Sequence, residues 1–482
     1  MNIVSTYTWC QFAPAFALVG LAALLILADA LLPKLPKRLY AGIAALGAFV
    51  AAFFMTTGEY ANLFGFIATV ATGLSILLAF DYTKVCCESI AGNGNEEGTG
   101  EFYALPLVAC AGILCLTQAR DLVMLFVSLE VVTLTSYVLA GYFRRNQGSI
   151  EAGIKYLVLG AMSTGILVYG IAWYFGMVGS FTLSAETVYS ALNGGVAGSP
   201  ALAFGFLLAT AMLFAGAFFK IGAAPMHVWI PDVYQGAPTP TTAFLAVASK
   251  AAGFVVLCSL ILPYAPFATP GSLLGRILVT TIAIVAAATL LIGNLGAMRQ
   301  TNLKRLLGYS SIGQAGFILV FFLQLQVSLE QNVYDYLLAY ALATISAFFA
   351  VAMVRTQRGS EEIAAFRGLG KTNPRTAFLI TVSFASLAGV PLTLGFIVKL
   401  KTFVTVVSAI QNWDNFCWLL VIMVLTAATG FYYYFKVLRS MYWEKPQPGV
   451  PALRVPLCTA IVLTLSATAL IILGTLPLLM RF

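Results

Sequence analysis

Apolar residues run in long stretches through most of this chain, broken by short polar segments. A stretch of roughly 20 mostly apolar residues is what a helix needs to cross a bilayer. Fourteen are present, at about 11–32, 39–57, 61–82, 102–119, 121–142, 152–176, 203–229, 241–262, 274–296, 305–324, 333–354, 376–404, 415–438 and 455–479. Their length, and the absence of strict alternation, favours helices over a barrel, whose strands would be about ten residues long. The pattern predicts an all-α polytopic membrane protein with about 14 transmembrane helices. The first stretch has no charged n-region and no small-residue cleavage site, so it is expected to be retained as a helix.

Composition sharpens this. Of 482 residues, 60% are hydrophobic and 9% charged, against about 25% charged in soluble domains, and the mean hydropathy is +0.93. A soluble surface cannot be built from so few ionisable groups. The eight cysteines show no paired spacing of a disulfide framework or zinc site, and the vicinal Cys86-Cys87 reads as two small residues.

The net charge of +8 has a topological origin rather than a nucleic-acid one. With fourteen spans, eighteen of the 26 basic residues fall in loops on one side, from Lys34, Lys37, Arg38 and Lys84 through Arg144 and Arg145 to Arg454. The other side has only Arg120, Arg276 and Arg481. A miscounted helix would scramble this parity. The positive-inside rule then places the basic side in the cytoplasm and both termini opposite.

Five basic residues fall inside spans: Lys155, Lys220, Lys250, Lys399 and Lys401. A lysine or carboxylate at the bilayer centre costs roughly 2.5–3.5 kcal/mol even on a lenient scale. Glu130 is ten residues from Arg120 and fourteen from Arg144, about 15 Å and 21 Å along a helix, too deep for a short carboxylate to reach water. Lys220, Lys250 and Lys399 are similarly deep. A structural ion pair or snorkelling is the competing account for each. Lys401 is expected to point elsewhere and snorkel, and Lys155 is equally well placed to snorkel or to take part. Asp29 reads first as a helix-end residue near Pro33, with membership of a relay as the alternative. His227, the only histidine, lies in proline-broken sequence near Lys220 and is a candidate proton carrier. One histidine without clustered carboxylates or thiolates supplies no metal site.

Spans seven and twelve carry breaks: Gly222, Pro225 and Pro231 in one, Gly389 and Pro391 in the other. They are five helices apart, and an odd interval inverts the orientation of a repeating unit, the arrangement of many transporters. The expected organisation is 1–100 for helices 1–3, 101–265 for a first inverted repeat (helices 4–8), 266–440 for a second (helices 9–13) and 441–482 for helix 14. Broken helices expose backbone groups that need water or protein partners, so hydrated cavities are expected there. Tyr309, Ser310, Ser311 and Gln314 of span ten are candidates to line a polar path, with helix–helix hydrogen bonding as the alternative.

The segment Lys220-Ile-Gly-Ala-Ala-Pro225-Met-His227-Val-Trp229-Ile-Pro231-Asp232-Val-Tyr234-Gln235-Gly-Ala-Pro238-Thr-Pro240, continuing to Ala248-Ser249-Lys250, resembles the proton-translocating antiporter-like family of respiratory complex I. Glu151-Ala-Gly-Ile-Lys155-Tyr156, Thr301-Asn302-Leu-Lys304-Arg305-Leu-Leu-Gly-Tyr309-Ser310-Ser311-Ile and Gly389-Val-Pro391-Leu-Thr-Leu-Gly395-Phe396-Ile-Val-Lys399 match it as well. The similarity covers essentially the whole chain. Asp232-Val-Tyr-Gln-Gly-Ala-Pro is similar to the N-type members, and Lys399 departs from the M type, which has glutamate there. Gln314 stands where some relatives have histidine and is assigned no direct proton-carrying role.

The resemblance implies two inverted five-helix bundles with half-channels to each side and a central polar axis, in a bacterial inner membrane. It implies a proton relay of Glu130, Lys220, Lys250, Lys399 and His227, with Lys155 as a weaker member. It further implies that NAD, FMN, the iron–sulfur clusters and quinone are handled by partner subunits, with no cofactor in this chain. The expected partners are a neighbouring antiporter-like subunit and small membrane subunits of the complex, together with the lipid bilayer. Burial favours the neutral form of an amine, and a nearby carboxylate favours the charged form. Lys220 is therefore expected to hold its proton beside Glu130, and to pass it to Lys250 and on towards Lys399 when that influence is withdrawn. A subunit of a multi-subunit cation/proton antiporter, and a passive scaffold whose charges only pack helices, are the competing functions.

Overall fold

The computed structural model describes residues 9–32, 35–57, 62–82, 85, 100–193, 200–269, 271–325, 328–413, 416–446 and 452–476. Lys34, Lys84, Arg481, Pro33 and the Cys86-Cys87 pair lie outside the described residues.

Fourteen helical spans account for nearly all of it. They are α1 (Ala13–Leu31), α2 (Lys37–Phe54), α3 (Leu63–Asp81), α4 (Gly100–Thr117), α5 (Leu122–Ala140), α6 (Gln147–Val178) and α7 (Pro200–Ile221). There follow α8 (Thr239–Phe267), α9 (Leu273–Met298), α10 (Leu303–Leu323) and α11 (Leu329–Arg358). The last three are α12, in two pieces (Pro374–Ala388 and Leu394–Trp413), α13 (Cys417–Tyr442) and α14 (Leu457–Thr475). No strand occurs among the described residues, only two isolated bridges, Asp121 with Thr182 and Asn302 with Glu362.

Local chemistry sets where several spans begin. Asp121, Asn146, Ser272 and Asn302 each turn a side-chain oxygen onto a free backbone N–H of the first turn of α5, α6, α9 and α10. The α6 helix starts five residues before the apolar stretch that betrayed it, because its polar first turns stand above the apolar layer.

Helices α4 to α8 pack on one another, as do α9 to α13. The first three flank α4, with α3 reaching α8 and α11, and α14 lies along α11 and α12. Windows of α8, α10 and α11 are 89%, 94% and 89% buried. Polar side chains on these three helices therefore face protein, not lipid. That is where the buried lysines lead.

Candidate proton-transfer site

Glu130 sits at mid-length in α5 and accepts a hydrogen bond from Thr164 Oγ1 of α6 at 2.9 Å. One turn on, the same face of α5 presents Thr133. Its hydroxyl accepts from Lys220 Nζ, in the last turn of α7, at 2.9 Å. Glu130, Thr133, Tyr137, Ser163 and Lys220 line one cavity of ≈ 10 Å³, about the size that holds a single water. The expected pair is thus brought to one polar pocket, but Lys220 takes the threonine hydroxyl rather than the carboxylate.

The α7 helix stops at Ile221 because Gly222 turns left-handed, at φ +75°, a conformation costly for any residue with a Cβ. The chain resumes helix only over Trp229–Gly236. The freed backbone finds partners in protein: Ala223 N–H on Phe218 O (2.8 Å) and Ala224 N–H on Thr289 Oγ1 of α9 (2.9 Å). His227 lies in this turn, half-buried, its Nδ1 without a hydrogen-bond partner. No described hydrogen bond or ion pair joins it to Lys220 or Lys250.

Lys250 is 2% exposed, in α8. The five residues before it, Leu245–Ser249, form a π-helical turn, a feature that recurs at functional sites because it changes the direction of the next side chain. Lys250 Nζ donates to both the carbonyl and the hydroxyl of Ser311 in α10, and lies 5.3 Å from the centre of the Tyr340 ring in α11. Tyr234 OH stands 3.4 Å from the same Ser311 Oγ.

Lys399 reaches back into the break of α12. Gly389 has φ +87° and Leu392 +74°, so the carbonyls of Leu387 and Ala388 are left without helical donors. Lys399 Nζ donates to both, at 2.7 and 3.0 Å. A Cβ at Gly389 would lie 2.9 Å from Lys399 Cδ, so glycine serves both the turn and the lysine's path. Gln314 Nε2 donates to the Leu387 carbonyl at 3.1 Å and to Tyr434 OH at 3.2 Å, while its Oε1 accepts from Tyr336 OH. Gln314, Tyr336, Tyr340 and Lys399 share a second cavity of ≈ 10 Å³. Tyr340 is common to the surroundings of Lys250 and Lys399, so these two lysines belong to one polar region.

Lys155 is placed differently. Its side chain is 41% exposed and pairs with Glu151 (2.6 Å) and Asp232 (2.7 Å). Arg305 NH1 meets Asp232 at 2.7 Å, and buried Lys304 donates to Ala237 O (2.7 Å) and Glu361 (3.2 Å). These residues line an open polar vestibule of ≈ 490 Å³ at the end of the bundle where the basic loops gather. Burial pushes the Asp232 carboxyl up, but hydrogen bonds from Lys155 and Arg305, with their charges, outweigh it and hold it below the usual carboxylate range.

One expectation about charges needs correction. Lys401 does not snorkel: it pairs at 2.8 Å with Asp335 of α11, and both side chains are largely buried. Asp29 stands in the last turn of α1, as expected, and pairs there with Lys37. Asp335 itself escaped the sequence reading because it lies at the edge of its apolar stretch, and Thr133, Thr164, Tyr336, Tyr340 and Tyr434 escaped because their partners are on other helices. The spacing of Thr133, three residues after Glu130, was the one local signal available. No cluster of three metal-ligating side chains occurs among the described residues.

Residues 119–429 match a family model described as the transmembrane region of NADH:quinone oxidoreductase and Mrp antiporters. An NADH-quinone oxidoreductase subunit N of Brevibacillus brevis is 34% identical over 473 residues, covering 93% of this chain and 89% of the relative. The subunit N of Bacillus anthracis is 35% identical, covering 99% and 95%. A chain of respiratory complex I from Thermus thermophilus, solved with bound aureothin, superposes with a TM-score of 0.76 at 29% identity, covering 97% of this chain and 98% of that one.

Proposed function

This chain belongs to the NADH-quinone oxidoreductase subunit N family, and from that premise we propose that it carries protons along one internal track, through Glu130, Lys220, Lys250 and Lys399. It is a proton-translocating membrane subunit of complex I, and the other membrane subunits of that complex are its partners. We assign NAD, FMN, iron–sulfur and quinone chemistry to those partners and proton movement to this chain.

One observation carries the track. Lys220, Lys250 and Lys399 meet only neutral oxygens and ring faces, with no carboxylate oxygen of the described residues within 4.0 Å. A carboxylate beside a buried amine favours its charged form, and Lys304 and Lys401 each have such a partner here. An amine on neutral acceptors can lose its proton without stranding a counter-charge, as at Lys250 and Lys399, whereas Lys220 shares its cavity with Glu130, whose charge favours its protonated form. The three lysines therefore have the environment of proton carriers rather than of structural ions. Moving one charge against 100 mV costs about 2.3 kcal/mol, a load that a change in the Glu130–Lys220 spacing can supply.

The vestibule of Asp232, Arg305 and Glu361 is the proposed inlet, with Lys155 at its rim, and Tyr234 and Ser311 lead from it to Lys250. His227, with its partnerless Nδ1, is the proposed carrier at the α7 break. The basic end is assigned to the cytoplasm of a bacterial inner membrane, which puts both termini on the far side.

We assign the inverted units to 101–265 and 266–440. Supporting this, Leu122 N–H donates to Phe181 O at 3.0 Å and Leu303 N–H to Glu361 O at 2.9 Å. These links stand at the starts of α5 and α10, five helices apart and at opposite ends of the bundle. The helices α6 and α11 both end on a left-handed glycine, Gly179 and Gly359. Polar groups of α5 and α10, Thr133 and Gln314, in turn attend the lysines beside the two breaks. The N-terminal helices 1–100 and the last helix, 441–482, lie outside the units.

The test is Lys220→Ala and Glu130→Ala in the assembled complex, reconstituted in vesicles with NADH as the electron source. Protons moved per electron should fall in both while NADH oxidation persists. Parental stoichiometry in both variants rejects the relay. A cation/proton antiporter would instead show sodium- or pH-sensitive growth on deletion with NADH oxidation intact.

A further inference from the structure

Lys399 is the last member of the proposed track, and it does not reach a surface. From Lys399 to the end of α12 at Trp413 is about 21 Å of helix, and a proton crossing that depth needs titratable or hydrated groups on the way. Asp335 and Lys401 occupy the required place. Asp335 lies four residues before Ala339 on α11, and Lys401 three residues after Val398 on α12. Ala339 and Val398 both line the Lys399 cavity. Each member of the ion pair therefore stands one helical turn from that cavity, displaced toward the end of the bundle opposite the basic vestibule. The Asp335 side chain is 3% exposed and the Lys401 side chain 15%. On the side away from the cavity, exposed Gln331 donates its Nε2 to Asp335 Oδ1 at 2.8 Å. The order from inside to outside is Lys399, cavity, Asp335 with Lys401, Gln331. On the outer side of Asp335, neither Glu330 nor Tyr334 is buried as Asp335 is, and the buried Tyr336 and Tyr340 on its inner side line the Lys399 cavity.

We propose that Asp335, held by Lys401, is the outlet group of the proton track. The proton on Lys399 Nζ passes through water in the cavity to the Asp335 carboxylate, leaving Lys399 a neutral amine. The resulting acid, beside the fixed Lys401 ammonium, gives the proton to water at Gln331 and returns to the paired carboxylate. One proton crosses: Asp335 and Lys401 end as they began, and Lys399, left neutral, takes its next proton from the Lys250 side of the track. The proposal rests on the Lys399 reading above.

A pair that only joins α11 to α12 can be neutralised on both sides without stranding a charge, so the double variant Asp335→Asn/Lys401→Met separates the two roles. In the assembled complex in vesicles, protons moved per electron should fall to the level of Lys399→Ala, and Asp335→Glu should keep the parental value. Gln331→Leu, an exposed change that leaves the pair in place, should slow proton release about threefold or more, and it decides between the two roles should the double variant not assemble. If Lys399→Ala lowers the ratio while the double variant or Gln331→Leu behaves as the parent, the outlet is overturned and the track stands. If Lys399→Ala itself matches the parent, the track fails and the outlet with it.

Discussion

Gln314 and Lys399 share one acceptor: the carbonyl oxygen of Leu387 lies 3.1 Å from the amide nitrogen of the first and 2.7 Å from the ammonium of the second. A carbonyl has two lone pairs, and this one is free for both because α12 breaks just after it. The break in one helix and a glutamine on another are thus parts of a single hydrogen-bonded unit around the lysine. The amide oxygen of that glutamine also accepts from Tyr336, which ties α11 into the same unit.

Gln314→Leu should therefore damage transport more than assembly. It strands the buried Tyr336 hydroxyl, a local cost of about 1–3 kcal/mol, and removes the polar wall of the Lys399 cavity. We expect proton pumping in vesicles to drop several-fold, with NADH oxidation and subunit content retained. Gln314→His keeps a donor and an acceptor and should recover most of the loss. Equal pumping by the leucine and histidine variants would detach Gln314 from the track.

Much of this was legible in the sequence, for physical reasons. Lipid as solvent demands long apolar runs, so the fourteen spans can be counted. Glycine and proline betray the breaks beside Lys220 and Lys399, and a deep lysine needs a reason to exist. What was not legible depends on neighbours. Leu245-Ala-Val-Ala-Ser249 has no residue that announces a π-helical turn. Whether Lys220 meets Glu130 or Thr133 is decided by how α5 and α7 each pack on α6, and Lys401 looked like a snorkelling residue until α11 placed Asp335 beside it.

The Asp232 clasp should respond to pH with a defined sign. A carboxyl held below its usual range contributes above that range and loses its contribution as pH falls through the lowered value. The clasp should then hold the short helix Trp229–Gly236 against α6 and α10 throughout neutral pH and slacken only below about pH 4. Because the groups are partly exposed, the effect is modest, about 1 kcal/mol or less, and salt weakens it. Hydrogen exchange over residues 229–236, measured for the parent and Asp232→Asn at matched pH, should be up to about fivefold faster in the variant at pH 7. The two should converge in acid. A difference that persists unchanged below pH 4 would mean the aspartate acts through shape and not charge.

Lys250 offers the cleanest separation of proton carrier from structural cation. The π-helical turn before it aims the amine at Ser311, and the Tyr340 ring accepts a cation of either basic type. Lys250→Arg therefore preserves the positive charge, the hydrogen-bond donors and the ring contact. It does not preserve the ability to let go: a guanidinium titrates above about 12, so shedding a proton at pH 7 costs about 7 kcal/mol. If Lys250 only holds α8 against α10 and α11, the arginine variant pumps nearly as well as the parent. If it passes protons, the variant assembles and oxidises NADH but its pumping falls at least tenfold, with no recovery up to pH 9. Simultaneous measurement of vesicle acidification and NADH oxidation distinguishes the two.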